Sequence, residues 1–121
     1  MTKQEQELSP HEWDPQLDGV IVAPNSHRVI FEDEAYRVLL IELSPGRKEP
    51  FHHHVHRSDF IVTESAPLRY YKDDGSAFDI PQRNVSVSNP YFEELEPEPL
   101  HAVENLSTDR TYLAWRVEYK D

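Results

Sequence analysis

The chain has 121 residues, of which 23 are acidic and 12 are basic, giving a formal net charge of −11, and it contains no cysteine. This length predicts one domain, and the negative charge argues against binding to nucleic acid or to anionic membranes, which require basic surfaces. The lack of cysteine excludes disulfides and thiolate metal sites. Because no apolar run reaches the roughly 20 residues of a membrane span and the first ten residues lack a signal peptide's apolar segment, a cytoplasmic location is expected by default.

The first residues are polar and contain two prolines. They predict an N-terminal arm over residues 1–19, followed by a single domain over residues 20–121. Trp13 and Leu17 are the apolar residues of the arm that are expected to hold it against the domain.

From residue 20 onward, short apolar segments separated by turn residues recur along the chain. About nine to eleven such strands, with almost no helical periodicity, predict an all-β fold, a single antiparallel β-barrel or jelly roll with under about 15% helix. The segments are VIVAP (20–24), HRVIFE (27–32), YRVLLIEL (36–43), PFHHHVH (50–56), DFIVTE (59–64), LRYYK (68–72), SAFDI (76–80), NVSVS (84–88), HAVEN (101–105) and RTYLAWRVEYK (110–120). The segment PYFEELEP (90–97) is the best helix candidate, but it is too short between its prolines to be stable.

The last predicted strand alternates between two faces with a period of two residues. Its more apolar face is predicted to point into the core and consists of Leu113, Trp115, Val117 and Tyr119. Three arginines lie within predicted strands, at Arg37, Arg69 and Arg116, where solvent exposure is the commoner outcome. An inward-facing arginine would be able to hold a substrate carboxylate.

Four of the seven histidines fall within residues 52–56, too far from either terminus for a purification tag. Side chains alternate along a strand, so His52 and His54 share one face, from which both can reach one metal ion, while His53 points to the other. His56 follows at the start of a turn and is a possible additional ligand. A solvated surface cluster remains the alternative, and His11 and His27, outside this segment, are expected to be exposed.

Two more residues are candidate ligands for the same metal. Asp59 begins the next apolar segment and offers a carboxylate oxygen, and His101 stands at the head of a later strand. Together with His52 and His54 they form a set of three nitrogens and one oxygen. Such a set suits iron, manganese, cobalt, nickel, copper or zinc better than calcium or magnesium. The sequence therefore predicts a divalent transition-metal cofactor.

The segment GRKEPFHHH (46–54), followed by Asp59, resembles the first motif of the cupins: a glycine, five residues, His-x-His and then an acidic residue. The segment PEPLHAVEN (97–105) resembles the second motif, a proline-containing turn followed by His-x-x-x-Asn. Asp59 stands where the family usually has glutamate, and Pro99 where it usually has glycine. The resemblance covers residues 20–120 and extends to short bacterial cupins, some of them associated with β-alanine degradation.

This resemblance implies a small β-barrel or jelly roll whose two motifs line the barrel mouth with three histidines and one carboxylate around a metal. The implied function is a metal-dependent enzyme acting on a small organic molecule, such as a dioxygenase, an isomerase or a lyase. Two alternatives stay open: a non-catalytic cupin that binds a small molecule or metal, and a structural or partner-binding barrel with a degenerate site. A homodimer is expected, because small barrels commonly cover edge strands with a second subunit.

Overall fold

The computed structural model describes residues 8–120, so residues 1–7 of the predicted arm and residue 121 lie outside the described residues. The described chain contains nine strands, in agreement with the sequence prediction. They are β1 (His27–Glu32), β2 (Tyr36–Leu43), β3 (His52–His54), β4 (Ser58–Glu64), β5 (Leu68–Lys72), β6 (Ala77–Ile80), β7 (Tyr91–Leu95), β8 (Glu98–Asn105) and β9 (Tyr112–Tyr119).

The strands form two sheets that face each other. One sheet has the order β1-β2-β9-β4-β7 and the other the order β3-β8-β5-β6, and every strand pair is antiparallel. With 51% strand and 9% helix, the predicted all-β jelly roll is confirmed. Within residues 8–120, no helix is both long and apolar enough to cross a membrane.

Two predicted elements differ from the structure. The segment over residues 20–24, predicted as a strand, belongs to a short helix α1 (Gly19–Val22), because the Asp18 side chain accepts a hydrogen bond from the Val20 amide and starts a helical turn. The segment over residues 84–88 forms only a turn with an isolated bridge at Ser86. The segment over residues 90–97, expected to be too short for a stable helix, contains strand β7.

The prediction for the inward face of β9 was wrong. Tyr112, Ala114, Arg116 and Glu118 are the buried residues of this strand, and the more apolar alternate set is only half-buried. The physical reason is that the two charged side chains are paired with opposite charges inside the barrel, so hydropathy alone does not report the direction of this strand.

The apolar core lies between the two sheets, mainly on the inner face of β2 and on the strands that face it. Its buried members are Leu39, Ile41, Leu43, Val62, Ala66, Leu68, Tyr112 and Ala114. Asn105 is also fully buried, where its side-chain amide donates to the carbonyl oxygens of Leu43 and Arg110. The asparagine of the second motif, Asn105, therefore has a structural role: it connects the end of β2 to the loop before β9.

The N-terminal residues that precede β1 lie against the barrel. Two single 3-10 turns, Pro10–Glu12 and Pro15–Leu17, lead into α1. Trp13 is 7% exposed, and its ring centroid lies 5.2 Å from that of His53. Trp13 therefore anchors this part of the chain to the outer side of β3, and Leu17 is half-buried.

Candidate metal centre

Four buried histidines line one cavity between the two sheets, which has a volume of about 550 Å³. His27, His52, His54 and His101 are between 1% and 4% exposed. They belong to two groups that share His54: the first is His27, His52 and His54, and the second is His54, Glu98 and His101. Within each group the ligand atoms all lie within 4.8 Å of one another.

Strand pairing explains how residues distant in sequence meet here. His52 on β3 is directly opposite His101 on β8, and their ring centroids are 4.5 Å apart. His54, two residues along β3, points into the same cavity, as its parity with His52 predicts. His27 begins β1 in the opposite sheet and lies across the cavity, 4.5 Å from the ring of His52 and 5.1 Å from that of His54.

His52 and His101 are oriented by the same local arrangement. A proline stands two residues before each histidine, and the Nδ1 atom lies 2.8 Å from the carbonyl oxygen of Pro50 or Pro99, respectively. A carbonyl oxygen can only accept, so Nδ1 must carry the proton and donate. In the neutral imidazole, the lone pair is then on Nε2 and is available to a metal.

His27 and His54 have their Nδ1 atoms placed in a similar way. The Nδ1 atom of His27 lies 3.1 Å from the carbonyl oxygen of Ala23 and 2.9 Å from Oγ of Ser26. The Nδ1 atom of His54 lies 3.3 Å from a carboxylate oxygen of Glu118. All four rings therefore have an acceptor near Nδ1, which leaves the Nε2 atom of each ring available as a metal donor.

Burial keeps three of these rings neutral. Loss of water around the ring lowers the pKa of His27 to about 4, and the same cause lowers the pKa values of His52 and His54 well below the ordinary 6.5. A histidine must be neutral to bind a metal, so these three rings can coordinate at neutral pH without losing protons.

Glu98 brings an ionised carboxylate to the edge of the cluster. Burial opposes its ionisation, but the adjacent positive charge of Arg116, with the hydrogen bond from Tyr70, holds the pKa of Glu98 at about 2. Arg116 lies 2.7 Å from one carboxylate oxygen; the Tyr70 hydroxyl donates to the other at 2.9 Å, and that second oxygen is 3.9 Å from Nε2 of His101. Glu98 was not among the candidate ligands that the sequence predicted.

A second carboxyl group, Glu49, lies beside the cluster in a different protonation state. Its Oε2 atom is 3.7 Å from Nε2 of His52 and accepts a hydrogen bond from Oγ of Ser26 at 3.3 Å. Burial raises the pKa of Glu49 to about 8, so this group is mostly protonated at neutral pH. Glu49 and Glu98 thus differ because Glu98 forms a direct ion pair with Arg116, whereas the effect of burial dominates at Glu49.

The structure brings His52, His54 and His101 together, but it places Asp59 elsewhere. Along β4, Ser58 is buried and Phe60 lines the cavity, so Asp59 between them points to the other face of the sheet. There its carboxylate accepts a hydrogen bond from the Tyr119 hydroxyl. Asp59 belongs to neither histidine group. His56 lies in the bend between β3 and β4, half-buried and also outside both groups.

The expectation that His27 is exposed was wrong. Position 27 lies outside both cupin-like motifs, and no spacing rule connects it with residues 52–54, since the contact depends on how the two sheets face each other. A weak signal existed in the sequence, because His27 begins an apolar strand directly after a turn. The expectation that His11 is exposed agrees with its position in the first 3-10 turn.

The three strand arginines have different surroundings. Arg116 lines the cavity, but it is ion-paired with Glu98. Arg37 is buried behind the cavity, where it pairs with Glu118 at 2.6 Å. Arg69 is partly exposed and pairs on the surface. Of the three, Arg116 alone is placed to meet a molecule in the cavity.

The rest of the cavity wall is mostly apolar. Its apolar and aromatic members are Ile41, Leu43, Phe60, Leu68, Tyr70, Phe78, Ile80, Leu95, Val103 and Tyr112. Besides the four histidines and Arg116, the polar lining consists of Glu49, Lys72, Arg83, Glu93 and Glu98. The cavity therefore combines an apolar, aromatic surface with polar groups that can orient a small organic ligand.

No family model matches the sequence, and no curated protein matches it either. Solved structures do match the fold. A cupin domain from Bordetella pertussis Tohama I is 21% identical, with a TM-score of 0.62, covering 78% of this chain and 92% of that one. A Klebsiella pneumoniae protein with a double-stranded beta-helix domain is 17% identical, with a TM-score of 0.52, covering 78% and 76%.

The polyketide cyclase RemF from Streptomyces resistomycificus is also 17% identical, with a TM-score of 0.52; the match covers 78% of this chain and 64% of that chain. Identities this low demonstrate the fold alone. The chain thus has the cupin fold, the small β-barrel or jelly roll that the resemblance of its two motifs implied.

Proposed function

We propose that this protein binds one divalent transition-metal ion through the Nε2 atoms of His27, His52, His54 and His101, and that the ion serves to bind and transform a small organic molecule in the cavity. The observation that carries the proposal is the shared orientation of the four rings, each with an acceptor at Nδ1. Nitrogen donors of this kind suit iron, cobalt, nickel, copper and zinc.

The proposed ligand set differs from the one that the cupin resemblance implies. His27, and not Asp59, is the fourth ligand beside the three motif histidines, and Glu98 is the carboxylate next to the cluster. This exchange rests on two observations: Glu98 is grouped with His54 and His101, and Asp59 is hydrogen-bonded to Tyr119 on the other face of β4.

When bound, such a metal supplies a Lewis acid or a binding position for oxygen beside the substrate. The chain's own residues supply the rest of the chemistry. Glu98 accepts hydrogen bonds from a bound molecule, Arg116 stabilises negative charge next to it, and the apolar wall excludes water. This chemistry is compatible with the dioxygenase, isomerase or lyase activities that the sequence predicted.

The composition of the wall favours a ligand with an apolar or aromatic body. A solved structure of this fold is a polyketide cyclase, which makes catalysis on an organic molecule the first candidate and binding without turnover the second. The cytoplasmic location, the absence of a nucleic-acid partner and the association with β-alanine degradation stay predictions from the sequence.

We also propose that the protein is a homodimer, with a second copy covering β1. This strand is at the edge of the five-stranded sheet, and Val29, Ile30 and Phe31 are between 43% and 52% exposed. An edge strand with apolar side chains exposed over three successive residues is a site for pairing with another chain. A second copy of the chain carries the same exposed edge and can therefore pair with it.

Metal analysis tests the proposed site. Protein purified without a histidine tag, stripped with a chelator and reloaded with Co²⁺ should retain about one ion per chain after removal of excess metal. Alanine variants of His27, His52, His54 and His101 should each retain much less. His11→Ala is the matched control, because His11 is exposed and belongs to neither histidine group. Absence of Co²⁺ from the folded wild type, or equal retention by the His27 variant, would refute the four-histidine site.

A further inference from the structure

The N-terminal segment, defined here as residues 13–23, packs directly against the histidine cluster. The backbone of Gly19 approaches two of the cluster's rings so closely that an added Cβ would lie 3.0 Å from Cδ2 of His27 and 3.1 Å from Cε1 of His54. Atoms of a side chain do not fit at that distance unless the rings shift. Gly19 does not have a positive φ, so the need for glycine here is close packing and not backbone conformation.

A second connection runs through buried charges. Asp18 accepts two hydrogen bonds from the Arg37 guanidinium, both at 3.1 Å. Arg37 in turn donates to one carboxylate oxygen of Glu118 at 2.6 Å, and the other oxygen of Glu118 lies 3.3 Å from Nδ1 of His54. None of the three charged residues is more than 9% exposed. A continuous series of polar contacts thus joins the segment to a proposed metal ligand.

The segment also positions the histidine from the opposite sheet. Nδ1 of His27 lies 3.1 Å from the carbonyl oxygen of Ala23, the residue that ends α1. The same helix begins with the Asp18 side chain accepting from the Val20 amide. The N-terminal end of α1 is therefore linked to His54 through the series of polar contacts that begins at Asp18. Its C-terminal end contacts His27 directly through the Ala23 carbonyl.

Groups that hydrogen-bond to metal-ligating histidines set the ring orientation and raise the basicity of the ligand. Their removal typically costs about 10–100-fold in metal affinity. A carboxylate next to the histidine is a particularly effective partner, because its charge favours the polarised ring. Glu118 is the carboxylate next to His54. Arg37 binds Glu118 on one side and Asp18 on the other, so Asp18 helps to hold Arg37 in the position that Glu118 requires.

We infer that the N-terminal segment is an integral part of the metal site, in which Asp18 and Gly19 act as positioning residues that set the affinity for the ion by holding His54 and His27. This inference rests on the proposed function. It assigns a role to residues that the sequence placed in an arm outside the domain, and it puts the functional boundary of the domain before Trp13.

The test uses two variants and a matched control in the full chain. Gly19→Ala adds the single methyl group that meets both rings, at a helical position where alanine is intrinsically favoured over glycine. Asp18→Asn keeps an oxygen that can cap α1 but removes the charge that faces Arg37. Asp14→Asn is the control: Asp14 caps the preceding 3-10 turn in the same way, is exposed, and makes no ion pair among the described residues.

Three measurements are made on each protein: the Co²⁺ dissociation constant by competition with a chelating indicator, the visible absorption spectrum of bound Co²⁺, and thermal unfolding of the metal-free form. Gly19→Ala and Asp18→Asn should bind Co²⁺ about 10-fold or more weakly with an altered spectrum, while Asp14→Asn matches the wild type. The spectrum separates a shifted ligand from a merely destabilised fold.

The outcomes distinguish the two proposals. The inference would be overturned, and the proposed metal site left intact, if the wild type binds Co²⁺ and both folded variants bind it with the same affinity and the same spectrum. Failure of the folded wild type to bind Co²⁺ would overturn both. Should Gly19→Ala not fold, Asp18→Asn decides alone, since its change is isosteric and leaves the helix cap in place.

Discussion

The carboxylate of Glu118 lies 3.3 Å from Nδ1 of His54, although the two residues are 64 positions apart in the chain. Glu118 is fully buried at the end of β9, and its other oxygen accepts from Arg37. A buried carboxylate persists only when cations and hydrogen-bond donors surround it. The contact therefore explains why charged residues occupy the inner face of the last strand: they hold a histidine on β3 in the orientation that a metal needs.

Replacement of Asp59 tests whether the acidic residue of the first motif binds the metal. Asp59→Asn should leave Co²⁺ retention unchanged, because the side chain points away from the cavity and Asn can still accept from the Tyr119 hydroxyl. Glu98→Gln, the corresponding change at the cluster, should weaken retention. If the Asp59 variant loses the metal and the Glu98 variant retains it, the ligand set that the resemblance implied would be correct.

The metal-free protein should lose stability as the pH falls below about 6.5. Folding lowers the pKa of His27 from 6.5 to about 4, so between these values the unfolded state binds a proton that the folded state does not. The group therefore opposes folding increasingly as the pH falls through this window, by about 3 kcal/mol in total. The lowered pKa values of His52 and His54 act in the same direction.

Urea unfolding at pH 7.0, 6.0 and 5.0 measures this dependence. His27→Asn removes one titrating ring and should show a shallower fall in the free energy of unfolding than the wild type. His11→Asn is the control and should follow the wild type, since His11 is exposed. Equal slopes in the wild type and the His27 variant would contradict the burial of a neutral ring at this position.

Above neutral pH, the ionisation of Glu49 should dominate the pH dependence of the stability. Burial raises the pKa of Glu49 from 4.5 to about 8. Between these values the folded state holds a proton that the unfolded state has lost, so stability decreases as the pH rises and continues to do so until about pH 8. One proton corresponds to a slope of about 1.4 kcal/mol per pH unit.

Glu49→Gln has a neutral side chain of nearly the same shape, so it should abolish most of this slope between pH 7 and 8. Glu42→Gln, on the exposed side of β2, is the matched control and should retain it. The measurement is urea unfolding of the metal-free proteins. A Glu49 variant with the wild-type slope would show that this carboxyl group is ionised in the folded protein.

Assembly can be measured directly. Light scattering at micromolar concentration should give a mass of twice the 14.2 kDa of one chain. Ile30→Glu should shift the protein toward the monomer, since it places a charge within the exposed apolar residues of β1, whereas Val87→Glu, on an exposed turn, should not. A monomeric wild type would refute the dimer.

The sequence by itself determined the all-β architecture and the core of the candidate site. Strand alternation is a local property: it placed His52 and His54 on one face and His53 on the other, whatever the rest of the fold. The second motif placed His101 on a later strand, and the structure shows that this strand pairs with β3, so that His101 lies opposite His52. These features depend on the spacing of residues within a strand or on motifs carried by the segment itself.

The tertiary structure alone decided which other groups share the cavity. His27 and Glu98 join the cluster, and Asp59 leaves it, because the facing of the two sheets and the direction of each strand arise from pairings between distant segments. Because charged residues are buried on the inward face of β9, hydropathy did not predict which face of this strand points inward. A residue's contacts across a barrel are fixed by long-range register, which no local pattern encodes.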